Sequence, residues 1–283
     1  MTSVRPRTLL QQYTQQISRS YDSGEADAIC RLLLQECLQV DRAKLMINDE
    51  MKVDASQLLL LDQAVARLSR NEPIQHVIGH AYFYDRPFKV SPEVLIPRQE
   101  TEELVGLIQS EWTIGAQTLL DIGTGSGCIP ITLALDLPNI DVYAVDISEA
   151  SLDIARENAD SLGARVAFSQ LDILIEALPG SYDVIVSNPP YITEAEKEAM
   201  HENVLAFEPS LALFVPNNDP LKFYRRITDL ARSHLKSGGK LYFEINEHFG
   251  PETLALLDEA GFINTALIHD LNGKHRIVKG QLG

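Results

Sequence analysis

A carboxamide followed by two prolines and a phenol ring, SNPPYI at residues 187–192, closes the apolar, β-branched run YDVIVS (182–187). Such a run reads as a buried strand, so the strand delivers Asn188 to its end. Pro189 and Pro190 lack backbone donors and have a fixed φ, and they hold residues 188 and 189 extended. The carbonyls of this turn are thereby kept out of a helix and free to face a ligand. Two acceptors, a backbone carbonyl and the Asn188 carbonyl, suit a planar NH2 group with its two N–H donors. Tyr191 offers a flat wall against a planar amide or base. A conjugated nitrogen of this kind is a poor nucleophile. Acceleration must come from placing it ~3–3.5 Å from an electrophile with water excluded, and from hydrogen bonds that strengthen as charge develops on nitrogen. No strong base is needed, because the alkylated amide loses its proton readily.

A second constellation is DIGTGSG (121–127), followed by Asp146 at the end of DVYAVD and Asp172 at the end of QLD. Gly123, Gly125 and Gly127 allow a tight turn and close approach of the backbone to a ligand. A carboxylate closing the next strand can accept two hydrogen bonds from ribose hydroxyls. The dinucleotide fingerprint G-x-G-x-x-G would need glycine at Cys128. The spacing G-x-G-x-G resembles instead the first motif of S-adenosylmethionine-dependent methyltransferases. That resemblance implies a cofactor with a methionine end, a ribose and an adenine but no phosphate. The cofactor-binding candidates are Gly123, Thr124, Gly125, Ser126, Gly127, Asp146, Asp172, Ile173 and Asn188. Asp172 can accept from the adenine amino group, or alternatively cap a turn.

Elements must bring these residues together. Helices are expected from Thr8 or Leu9 to Ser20, over Glu25–Gln39 after a break at Gly24, and over Asp54–Asn71 with Asp54 as N-cap. Residues 1–72 therefore read as a small helical domain. Arg5, Arg7 and Arg19 with no acid before Asp22 give the N-terminus a slight transit-peptide flavour, but the amphipathic spacing of Leu9, Leu10, Tyr13 and Ile17 favours a helix. Residues 73–97 are rich in β-formers and read as a hairpin linker with a turn at Asp85–Pro87. From residue 98 strands and helices alternate. Strands are expected at 117–123, 141–146, 165–172, 182–188, 240–246, 264–270 and 274–280. Helices are expected near 100–110, at 128–137, at 149–162 capped by Ser148, at 220–236 capped by Asp219 with Gly238–Gly239 after its end, and at 252–259. Alternating βα units imply an α/β fold, a doubly wound parallel sheet over 98–283. The three residues joining the last two strands are too few for a parallel crossover, so those strands form an antiparallel hairpin.

Composition removes several function classes. Forty acidic against 24 basic residues give a net charge of −16, a surface that repels polyphosphate and argues against stable nucleic-acid binding. No apolar run approaches the ~20 residues of a membrane span. Three cysteines, Cys30, Cys37 and Cys128, are odd in number and lack C-x-x-C spacing. They favour a reducing, cytoplasmic setting over a disulfide frame or zinc site. His76 and His80 have a helical metal spacing but lie in the linker with no third ligand, so no metal is expected.

Beyond its motifs, the chain resembles the HemK/PrmC family, glutamine N5-methyltransferases that modify class 1 peptide-chain release factors. EPIQHVIGHAYFYDRPFKVSPEVLIPRQETEELV (72–105), DIGTGSGCIPI (121–131), SNPPYI (187–192), FEPSLAL (207–213), FYRRI (223–227) and DLNGKHRIVKG (270–280) carry the likeness. It implies a small N-terminal helical domain joined to a Rossmann-like class I S-adenosyl-L-methionine-dependent domain with a seven-stranded, mostly parallel sheet. The implied substrate is the glutamine of a Gly-Gly-Gln loop. Asn188 and the Pro189 carbonyl would hold its amide beside Pro190, with Tyr191 packed against it. Arg98 and Glu208 would contribute to the substrate cleft, although Glu208 also reads as a solvated loop acid. Two departures stand out. Gln99 replaces a proline. In EINEHFG (244–250), Asn246 replaces a glycine, which suggests a positive φ, and Phe249 replaces a glutamine.

Alternative functions are methylation of a ribosomal-protein glutamine, N6-adenine methylation of DNA, since the motif also suits an adenine amino group, and cofactor binding without catalysis. The acidic charge and the lack of a basic groove count against the DNA reading.

Overall fold

The computed structural model describes residues 1–283 apart from 48, 113, 114 and 116. They form two compact units, Met1–His80 with His201–Phe207, and Ala81–Met200 with Glu208–Gly283.

The first unit is built on helices α1 (Pro6–Ile17), α2 (Ser23–Leu38) and α3 (Ala55–Leu68). α1 starts earlier than expected because Pro6 is tolerated in a first turn, where its missing N–H costs nothing. α2 does not break at Gly24. Asp22 caps it by accepting from the N–H groups of Gly24 and Glu25, so the glycine lies inside the first turn. α3 opens with the Gln57 side chain accepting from the Asp54 N–H. Leu10, Tyr13, Ile17, Leu33, Leu34, Leu61, Val65 and Leu68 form the core of this unit. A two-stranded antiparallel pair, Thr2–Val4 with Met51–Val53, was not legible in the sequence.

The strand His80–Phe83, of which Ala81 onward belongs to the second unit, pairs with Arg86–Lys89 as a hairpin. Its turn is Tyr84–Asp85, with φ of 50° and 57°. The expected turn at Asp85–Pro87 is one residue late: two consecutive left-handed residues make the tight turn, and Arg86–Pro87 already belong to the second strand. The main sheet holds β1 (Thr118–Ile122), β2 (Asp141–Asp146), β3 (Val166–Gln170), β4 (Tyr182–Ser187), β5 (Leu235–Glu244), β6 (Phe262–His269) and β7 (His275–Leu282). Their order is β6-β7-β5-β4-β1-β2-β3. β1 to β5 run parallel, and β7 is antiparallel to both β5 and β6.

Successive strand residues face opposite sides. Leu120 and Phe243 enter one core with Tyr224, Ile227 and Leu257. Leu119 and Tyr242 enter the other with Leu104, Ile108 and Ile131. The first core is covered by α7 (Lys222–His234) and α8 (Gly250–Glu259), the second by α4 (Gln99–Ser110), α5 (Cys128–Asp136) and α6 (Glu149–Leu162).

Two details of the second unit differ from expectation. Asp219 does not cap α7; it pairs with Arg225 at 3.0 Å. Gly238–Gly239 do not follow the helix but lie within β5, which starts at Leu235 and carries a bulge before Lys240. A side chain at 239 would meet the Lys236 carbonyl at 2.8 Å.

Candidate active site

The strand order reverses between β1 and β4, whose last residues, Ile122 and Ser187, are register partners. Ligands of open α/β sheets bind at the carboxyl ends of strands flanking such a switch point. Ser187 locks the two ends together, donating from Oγ to the Ile122 carbonyl at 2.7 Å. A cavity of about 430 Å³ opens there.

The glycine loop forms its floor. Gly123 and Thr124 donate to the Val145 carbonyl at 2.9 and 3.1 Å, tying the loop to the end of β2. Gly123, Gly125 and Gly127 have φ of 76°, 54° and 80°. A Cβ at Gly123 or Gly125 would meet no protein atom within 4 Å, whereas one at Gly127 would strike Ile131 at 2.8 Å and Ala155 at 3.1 Å. The first two glycines thus leave room for a ligand, and the third lets α5 pack against α6. Asp146 accepts from Gly125 N–H at 2.8 Å and from Ser148 N–H at 2.9 Å. Each of its oxygens keeps a lone pair for a ligand. Burial holds its carboxyl above the usual range. Asp172 caps its own turn, accepting from Leu174 N–H at 2.9 Å, while Asp172 and Ile173 both line the cavity.

On the other side stand Asn188, Pro189 and Pro190, which line the same cavity. Tyr191 does not; it packs on the core beside β5 and donates from its hydroxyl to Glu244 Oε1 at 3.1 Å. Burial first, then the charge of Glu244, push that phenol up. Arg98 lines the cavity and bonds Glu208 Oε1 at 2.5 Å. Glu208 is not a solvated loop acid: its side chain is buried, and Oε2 also accepts from Ile96 N–H at 3.3 Å. The pair fastens the segment before Arg98 to the start of Pro209–Ala212, both of which border the cavity.

Several supporting residues escaped the sequence reading. Asn158 accepts from Lys89 N–H at 2.7 Å and donates to the carbonyls of Lys89 and Ser126, fixing the loop to α6 and the hairpin. Asp121 lies beneath the loop, fully buried, with only Thr124 and the Ile122 backbone near enough to favour its charge. Burial, reinforced by the nearby Asp146, pushes it up to about 7. Glu244, also buried, accepts from Thr101 Oγ at 2.7 Å as well as from Tyr191. A lone acid in the apolar strand KLYFE was the available signal. Glu102 and Glu103 accept from the N–H groups of Tyr84 and Leu271. Asn246 has φ of −65°, not positive. Its presence is explained by its side chain, which donates to the Tyr191 carbonyl at 3.0 Å and to Glu196. Among the described residues no cluster could hold a metal ion, and no helix is long and apolar enough to cross a membrane.

The donor set fits a nucleoside-bearing, phosphate-free cofactor: open space above two glycines, a strand-end carboxylate with unused lone pairs, and apolar walls from Ile129, Leu171, Ile173 and Phe223.

Comparison with known proteins agrees. Residues 8–79 match the family model described as the PrmC N-terminal domain, and residues 100–208 match the methyltransferase small domain. The chain is 46% identical to a release factor glutamine methyltransferase of Bacteroides thetaiotaomicron, with 93% of this chain and 95% of that protein covered. It is 42% identical to one of Flavobacterium psychrophilum, covering 95% and 96%. Among solved structures, a methyltransferase from Pyrococcus furiosus aligns with a TM-score of 0.54 at 18% identity, over 78% of this chain and 99% of that one, which speaks for the fold.

Proposed function

Because the chain belongs to the release factor glutamine methyltransferase family, we propose that it methylates the side-chain nitrogen, N5, of the glutamine in the Gly-Gly-Gln loop of a class 1 peptide chain release factor. One observation carries this reading: a single cavity joins the glycine loop, Asp146 and Asp172 to the Asn188–Pro190 turn. S-adenosyl-L-methionine, when bound, supplies an electrophilic methyl group. Gly123, Thr124, Gly125 and Ser126 would border its methionine end, with Gly127 setting the loop's path. Asp146 would accept from its ribose, and Asp172 with Ile173 would hold its adenine.

The chain's own part in the reaction is positional. The Asn188 side-chain carbonyl and the Pro189 carbonyl accept the two N–H groups of the substrate amide, which fixes its plane and aims its nitrogen. Pro189 and Pro190 keep those acceptors out of backbone hydrogen bonds. The apolar lining excludes water, so the same hydrogen bonds strengthen as positive charge builds on nitrogen. Tyr191 acts from behind the turn, supporting it from Glu244. Arg98 and Glu208 shape the substrate side together, Arg98 at the surface and Glu208 from within.

In this reading residues 1–72 are the helical N-terminal domain, 73–97 the hairpin linker and 98–283 the transferase domain. The protein works in the cytoplasm, on the release factor rather than on nucleic acid. Mass spectrometry of purified release factor incubated with the protein and cofactor tests the proposal. The expected result is one added methyl on the Gly-Gly-Gln glutamine, lost in Asn188→Ala while cofactor affinity stays within about threefold. An unmodified release factor, or a methyl on another residue, overturns it.

A further inference from the structure

A carboxamide that must present its oxygen to a substrate has an orientation problem. Its two ends are alike in shape and opposite in polarity, so shape alone does not choose between them. The choice falls to whatever group holds the far end. Asn188 Nδ2 lies 3.3 Å from Thr101 Oγ, and Thr101 Oγ donates to Glu244 Oε2 at 2.7 Å. Glu244 also accepts from Tyr191 at Oε1. Burial raises the Glu244 carboxyl, and Thr101, Arg276 and Tyr191 oppose that rise; with Thr101 on Oε2 and Tyr191 on Oε1, both of its oxygens are engaged as acceptors. The single hydroxyl proton of Thr101 is therefore committed to Glu244, and Thr101 turns a lone pair toward Asn188. The reversed carboxamide would set Oδ1 against an oxygen with no proton to give. Even half-buried, a pair of facing acceptors is costly.

We infer that Glu244 and Thr101 are positioning residues that set the polarity of the Asn188 carboxamide, forcing its nitrogen inward and its oxygen toward the cavity. The inference rests on the proposed role of Asn188 as the acceptor for the substrate amide. The chain of bonds is one-way, from Asn188 through Thr101 to Glu244, and its end is anchored a second time through Tyr191. Asn246, two residues beyond Glu244, holds the Tyr191 carbonyl at 3.0 Å. The end of β5 thus grips Tyr191 at both its hydroxyl and its carbonyl, while it orders Asn188 through Thr101.

Thr101→Val keeps the shape and removes the hydroxyl, and Thr101→Ser keeps the hydroxyl. Two readouts are measured on each full-length variant. One is methylation of the release factor under saturating cofactor. The other is the side-chain NH2 resonances of Asn188, identified by their absence from Asn188→Ala. In Thr101→Val, kcat should fall about 30-fold, with cofactor affinity within about twofold, and the Asn188 resonances should move. Thr101→Ser should restore both, which a merely structural role for the threonine methyl would not allow. Glu244→Gln, which can donate as well as accept, should lower kcat in the same direction and gives a second variant if Thr101→Val folds poorly. Turnover by folded Thr101→Val within about twofold of wild type, or unmoved Asn188 resonances, would overturn the inference. Should the wild-type protein leave release factor unmethylated, it is the substrate reading that fails, and the Asn188 resonances alone then decide this one.

Discussion

At the scale of single residues, the site is built on carboxylates that the sheet takes out of water. Asp121 is the extreme case. It closes no ion pair, and burial with Asp146 nearby pushes it up to about 7 from an ordinary 3.8. The folded protein therefore keeps this proton over a range in which the unfolded chain has released it. A group whose folded-state pKa is raised contributes stability that is full below the unfolded value and lost as pH climbs through the folded one. Between about pH 4 and pH 7 the Asp121 contribution should decline with rising pH. Asp121→Asn cannot ionise and should escape that decline. Denaturant titrations of both proteins across this window should show the variant gaining on the wild type by on the order of a few kcal/mol. Parallel curves would mean that the carboxyl is solvated or paired in solution.

At the scale of elements, the glycine loop separates two functions that look alike in sequence. Gly125 and Gly127 both have positive φ, but only the latter is pressed against its neighbours. Gly127→Ala adds left-handed strain to a clash with Ile131 and Ala155, and should cost about 2–4 kcal/mol of stability. Gly125→Ala meets no protein atom and should cost about 1 kcal/mol, yet weaken cofactor binding at least tenfold. Thermal unfolding and cofactor titration of the two variants should show opposite rankings. Why the strand–loop–helix unit was legible is clear from its residues. The apolar runs of 118–122, 141–146 and 182–187, the Ser148 cap and the short Leu271–Gly273 connection each act locally. Where expectation slipped, a local rule met a competing one: Gly238–Gly239 look like a helix stop yet form a bulge that fits close to a neighbouring carbonyl, and Asp219 looks like a cap yet finds Arg225.

At the scale of the whole molecule, the parts of the site hidden from the sequence are those made by packing. Thr101 reaches Glu244 across 143 residues and Arg98 reaches Glu208 across 110. No periodicity or motif joins such pairs; Thr101 meets Glu244 because α4 packs on the sheet face that carries Tyr242 of β5, and Arg98, at the start of α4, meets Glu208 just before Pro209. Asn188 and the glycines could be singled out as candidates because each stands in a motif of sequence neighbours, and the fold brings them to one cavity. Charge, by contrast, acts through the molecule as a sum. An Asn-Pro-Pro-Tyr turn accepts an adenine amino group as readily as a glutamine amide, so local geometry alone does not choose between nucleic acid and protein. A net charge of −16 counts against nucleic acid. Duplex binding draws its affinity from cations that neutralise phosphates and release counterions, and here acids outnumber bases 40 to 24. Titrated with a short adenine-containing duplex at physiological salt, the protein should bind more weakly than about 100 μM, the loose end of non-specific association, and should leave the adenines unmethylated while release factor is modified in the same tube. Tight binding that fell away steeply with added salt would instead reveal a basic surface strong enough to override the overall charge, and would move the substrate from a carboxamide to a base.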